Sequence, residues 1–239
     1  MPLPKIATPT YELELPSTGQ TIQYRPFLVK EEKLLVLALE GEDVKEITTA
    51  IKNVIKSCIQ TKGIKVDTLP TFDIEYLFLN IRGKSVGEDI EVKLLCPDDN
   101  ETYVPVKILI DDILVVKSEE HTNKIKLDSN LMMEMKYPSL AEFIKNNFDF
   151  AGDATMDQSF DLIASCIDKI YNEEEVWTAA DCTKKEITSF LDQMNSSQFK
   201  EIETFFETMP KLSHTVKLKN PKTKVESEVV LEGLSSFFG

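Results

Sequence analysis

Several residue types are scarce in this sequence, and each scarcity closes off a class of function. Only two histidines occur, His121 and His214. Neither stands in a His-Glu-x-x-His pattern or beside a nucleophile elbow. The eight glycines never fall as Gly-x-Gly, so no dinucleotide-binding fingerprint exists. The four cysteines, Cys58, Cys96, Cys166 and Cys182, are scattered and form no Cys-x-x-Cys pair. Zinc knuckles normally need such pairs. Positive charge is short as well: 27 Lys and Arg face 41 Asp and Glu, for a net charge of −14. A groove for nucleic acid or an anionic membrane needs the opposite field, so neither partner is expected. The longest apolar run, Leu34 to Leu39, is far short of the roughly twenty residues that cross a bilayer. Met1-Pro2-Leu3-Pro4-Lys5 carries no apolar export segment, so a reducing compartment is expected.

What remains is ordinary globular composition. Hydrophobic residues make up 42% and charged residues 28% of 239 positions, enough for one large core or two small ones. The chain also repeats itself. Ile55-Lys56-Ser57-Cys58-Ile59 recurs as Ile163-Ala164-Ser165-Cys166-Ile167. Leu15-Pro16-Ser17 before Tyr24-Arg25-Pro26 recurs as Leu127-Asp128-Ser129 before Lys136-Tyr137-Pro138. Val92 to Pro97 recurs as Val216 to Pro221. Matches in the same order argue for duplication. The sequence therefore divides into two related units, 1–118 and 119–239, each read as hairpin, helices, hairpin.

Within the first unit, Tyr11 to Leu15 alternates apolar and polar residues, turns at Pro16-Ser17-Thr18-Gly19, and returns through Tyr24. Helices are predicted after Pro26, over 42–59 and over 72–81, with Thr71 as a cap and Gly63 ending the second. Strands at 90–94 and 103–109 flank the turn Cys96-Pro97-Asp98-Asp99-Asn100. The second unit follows the same plan. It has a hairpin over 125–135, a helix opened by the capping box Ser139-Leu140-Ala141-Glu142, and a helix over 160–170. Helices opened by Thr183 to Glu186 and by Asn195 to Gln198 follow, then a hairpin across Asn220-Pro221-Lys222-Thr223. Strands arranged as hairpins predict an α+β fold rather than a parallel sheet.

Few residues carry a chemical signature. Arg82-Gly83-Lys84-Ser85 contains Gly-Lys-Ser, but the earlier glycine of a phosphate loop is replaced by Phe78, so a helix-terminating turn is expected. His121 falls in a polar run read as a solvated connector. Cys96-Pro97-Asp98-Asp99 and Asn220-Pro221-Lys222-Thr223 sit where zinc knuckles would, with ligands missing, so ordinary hairpin turns and no metal are expected. Asp98 to Glu101 lacks the alternation and glycine of a calcium loop. Glu173-Glu174-Glu175 is read as a solvated loop. No catalytic residue and no cofactor site is assigned. The late aromatics Phe237 and Phe238 must either tuck into the body or dock a partner. They are the candidate partner-binding residues.

Several segments resemble a known family. They are Met1-Pro2-Leu3-Pro4, Tyr11 to Gly19, Tyr24-Arg25-Pro26-Phe27 with Val29 to Leu35, Met209 to Thr215, and Leu231-Glu232-Gly233-Leu234 before Phe237-Phe238. Together they are similar to the baseplate proteins of T4-type contractile-tailed phages, a family that includes hub subunits and hub assembly factors. The resemblance implies a non-enzymatic hub protein that binds other hub or tape-measure proteins, in the host cytoplasm during assembly and in the virion baseplate. A transient assembly chaperone absent from the virion is the alternative. A Cys- or metal-dependent hydrolase using Cys58, Cys96, Cys166 or Cys182 is the alternative of another class. The resemblance also implies Cys pairs at the two hairpin turns in some members of the family, where this chain has Cys96 alone and Asn220.

Overall fold

A computed structural model describes residues 6–41, 43–140 and 156–237. The described elements run in chain order as follows. Strands β1 (Tyr11–Glu14) and β2 (Thr21–Tyr24) precede helices α1 (Val29–Glu40), α2 (Val44–Cys58) and α3 (Thr71–Val86). Strands β3 (Asp89–Leu95), β4 (Tyr103–Leu109), β5 (Leu114–Val116), β6 (Lys124–Lys126) and β7 (Met132–Met135) follow. Then come α4 (Met156–Cys166), β8 (Ile167–Tyr171), β9 (Val176–Thr178), α5 (Lys184–Leu191), α6 (Ser196–Thr208), β10 (Lys211–Lys219) and β11 (Glu226–Glu232). The strands pair antiparallel as β1-β2, β3-β4, β11-β10-β5 and β6-β7-β8-β9. Small antiparallel sheets beside helices make the fold α+β, as expected.

The chain forms two compact units, residues 1–116 with 211–239 and residues 117–210. The first is built around α3. This helix is apolar on nearly every side and is accordingly a central element, with Phe72, Leu77, Leu79 and Ile81 buried. Ile22, Tyr24, Val54, Ile55 and Ile113 complete its surroundings in the core. The polar start of α3 is also buried, and Asp73 accepts hydrogen bonds from the amide and hydroxyl of Ser17 in the β1-β2 turn. The second unit packs α4, α5 and α6 on the four-stranded sheet. Met133, Met135, Ile163, Cys166, Ile167, Leu191, Ile202 and Phe205 form its core. Thr183 caps α5 and Asn195 caps α6, each with the reciprocal partner predicted, Glu186 and Gln198.

Several expectations are corrected. Residues 211–239 fold with the first unit rather than with 119–210, because β10 pairs with β5 in the register Lys211–Val116, Leu212–Val115 and Ser213–Leu114. Helix α3 does not stop at 81. It runs through Arg82-Gly83-Lys84-Ser85 to Val86, and Gly87, at φ +149°, ends it. Gly83 lies inside the helix, where a Cβ would be 2.9 Å from the Ile110 side chain, so the glycine serves a close approach rather than a turn. Helix α2 ends at Cys58, well before Gly63, since Ile59 turns extended to bridge Tyr24. Residues 167–170 are strand, not helix, bonded between β7 and β9. Glu173 to Glu175 lie in the β8-β9 turn, where Asn172 Oδ1 accepts the amides of Glu174 and Glu175. The helix expected from Ser139 lies almost wholly outside the described residues.

Candidate partner-binding surface

Helix α1 is held at its first turn by the Arg25-Pro26 segment. The amide of Arg25 donates to the Cys58 carbonyl at 3.0 Å, and its guanidinium donates to the Pro26 carbonyl at 2.8 Å. The same guanidinium pairs with Glu31 at 2.9 Å, and the other Glu31 oxygen accepts the Leu28 amide at 2.8 Å. Glu31 thus caps its own helix, and it is buried. Burial pushes its carboxyl up, but the hydrogen bonds from Arg25, the Leu28 amide and Lys30 outweigh that and hold it below the ordinary range. The preceding residue, Phe27, donates its amide to Ser85 on α3 at 2.9 Å. The segment therefore fixes where α1 starts.

Along the rest of α1 the usual burial pattern is inverted. Glu31 and Ala38 are its only buried residues, while Val29, Leu34, Leu37 and Leu39 are each at least half exposed. Leu28 and Val36 extend the patch, at 41% and 48%. Single exposed leucines are common, but a contiguous cluster on one helix marks an interaction site. The sequence carried this signal as the run Leu34 to Leu39, which periodicity alone would assign to a core. In the second unit, Val176 and Trp177 on the edge strand β9 are also exposed.

The two hairpin turns with incomplete knuckles meet in the first unit. Asn220, only 1% exposed, donates its amide nitrogen to both Asp98 oxygens, at 3.0 and 3.1 Å. Its Oδ1 accepts the amides of Lys222 and Thr223, at 2.8 and 3.3 Å, and the Thr223 hydroxyl donates to Asp98. Asp99 accepts from the Thr102 hydroxyl at 2.6 Å and from the amides of Thr102 and Glu101 at 3.0 Å. These donors, Thr102 first and Asn220 next, hold the Asp99 carboxyl far below its usual range. Both ends of the Asn220 side chain are thus committed to protein. The side chains at the knuckle positions, Cys96, Asp99, Asn220 and Thr223, do not fit a zinc site. Asp98, Asp99, Asn220 and Thr223 clasp the turns directly.

Phe237 is 1% exposed, in a 3-10 turn (Leu234–Phe237) of the first unit, and Phe238 lies outside the described residues. His121 is not a solvated connector residue. Its ring stacks on Tyr137, Nδ1 lies 2.9 Å from the Thr208 hydroxyl and Nε2 lies 3.0 Å from the Tyr137 hydroxyl. Burial, and the charge of Lys117, lower its pKa. His214 Nδ1 lies 3.0 Å from the Asp112 carbonyl. Cys58 is buried, and burial pushes its thiol up to about 11. Lys84 of the Gly-Lys-Ser segment pairs with Glu88, and Ser85 donates to the Ile81 carbonyl at 2.5 Å. Among the described residues no three His, Cys, Asp or Glu side chains converge as metal ligands. No helix among them is long and apolar enough to cross a membrane.

An anchored helix with an apolar outer face, on an α+β body, defines a protein whose exposed chemistry suits association with other protein surfaces. The chain belongs to the family described as T4 bacteriophage base plate protein, which matches residues 8–239. That membership makes it a phage structural protein associated with the tail baseplate and with other baseplate proteins. No curated protein and no solved structure matches the chain.

Proposed function

We propose that this chain is a non-enzymatic hub protein of the baseplate that acts by binding hub or tape-measure proteins during assembly. The observation that carries this reading is the exposed apolar cluster on α1, held in place by Arg25 and Glu31. Burying such side chains is worth roughly 2 kcal/mol each, so a partner gains by covering them. The Cys-dependent hydrolase gains no comparable support from Cys58, whose thiol burial pushes up to about 11 and so away from the thiolate at neutral pH. Docking through Phe237 would require its terminal turn to open, so the reading rests on α1.

An ancient duplication also belongs to this proposal, and matched backbone bonds support it. The Arg25 amide donates to the carbonyl of Cys58 at 3.0 Å, and the Lys136 amide donates to that of Cys166 at 2.7 Å. Each cysteine is the last residue of a helix and fully buried. The Asn100 amide donates to Cys96 and the Lys224 amide to Asn220, and both Asn100 and Lys224 have positive φ.

Quantitative mass spectrometry of purified virions tests the role. Stoichiometric presence is expected of a hub subunit. Complete absence from virions, with co-purification of hub proteins from infected cells, would replace the subunit by the transient assembly chaperone.

A further inference from the structure

Helix α1 carries a charge pattern that matches its own reverse. At 3.6 residues per turn, Val29, Lys33, Val36, Leu37 and Glu40 share one side of the helix, opposite the buried Glu31 and Ala38. All five are exposed. Two such helices laid antiparallel, with their centre between Val36 and Leu37, bring Val36 against Leu37 twice. The same register sets Lys33 opposite Glu40 of the other copy. Both charges on this face therefore meet their opposites, two cross-pairs around an apolar centre. A parallel pairing would set Lys33 against Lys33 and Glu40 against Glu40.

We propose that the occupant of this face is a second copy of the chain, joined by a two-fold, antiparallel α1–α1 contact. A two-fold contact is the simplest closed arrangement for one self-complementary patch. The proposal rests on the reading of α1 as an interface and adds its partner. The seam is one short helix, so association in the micromolar range is expected.

The test is sedimentation analysis of the whole chain from about 1 to about 200 μM, a range that brackets such affinities. The wild-type chain is expected to pass from monomer to dimer. K33E and E40K each turn two cross-pairs repulsive and are expected to weaken association roughly tenfold. The double variant K33E/E40K re-forms both pairs with inverted sign and is expected to regain most of that loss. V36S/L37S is expected to stay monomeric, with circular dichroism checking that it folds. A monomeric wild-type chain overturns the proposal. So does a double variant no better than the single ones, or a dimer that survives V36S/L37S. A wild-type chain that stays monomeric while α1 crosslinks to another baseplate protein overturns self-pairing and leaves the hub reading standing. A dimer behaving as described, in a protein missing from virions and from hub complexes, supports self-pairing and removes the hub reading.

Discussion

The carboxyl of Glu75, on α3, is 8% exposed and accepts the amide of Leu234 at 3.2 Å. Burial raises its pKa to about 7, against an ordinary value of 4.5. A raised folded value means that Glu75 favours the folded state fully below the unfolded pKa. That contribution is lost as pH rises from about 4.5 through 7. Glu75→Gln keeps an acceptor for Leu234 and cannot ionise. Urea unfolding at pH 5 and pH 8 is expected to show the variant gaining about 2–3 kcal/mol on the wild type over that interval. An unchanged difference between the two proteins would show that Glu75 is ionised throughout. The same bond ties α3 to the terminal turn that buries Phe237. No sequence pattern announces this residue. It is one of 41 acids, and only the fold distinguishes it.

Among the elements, α1 depends on the ion pair of Arg25 with the buried Glu31. Removing the guanidinium leaves Glu31 buried and charged without its main partner, at a cost of about 3 kcal/mol. Arg25→Ala is therefore expected to lower the melting temperature and to speed hydrogen exchange of the α1 amides before those of α3. Equal loss of protection in both helices would show that α1 is held by something else. The amphipathic α2 and the capped α5 and α6 were legible in the sequence, because periodicity and capping boxes are local signals. So were the hairpins β1-β2, β3-β4 and β10-β11, which alternate around turn residues. The failures share a cause. Residues 167–170 continue a helical apolar pattern, yet Met133 and Trp177 pair with Ile170 from distant positions and make it strand. Gly83 reads as a stop in sequence, but Ile110 packs against it and the helix passes through. The face of α1 was legible as apolar and illegible as exposed, since hydropathy does not say what covers a helix.

At the scale of the molecule, the first unit is interrupted by the second. Val116 leaves it and Lys211 re-enters it as directly paired residues of β5 and β10. Neighbours in an antiparallel pair can be joined by a two-residue turn. A chain in which Asn-Gly replaces residues 117–210 is expected to fold and to melt in one cooperative transition. A molten product would show that the first unit needs the second in order to fold. The return at 211 was not legible in the sequence, because strand pairing leaves no mark on composition. The paired entry and exit also give residues 117–210 the standing of a loop. The pairs Leu114–Ser213, Val115–Leu212 and Val116–Lys211 hold Val116 beside Lys211, so a change in chain length between those two residues leaves the register of β5 and β10 unaltered.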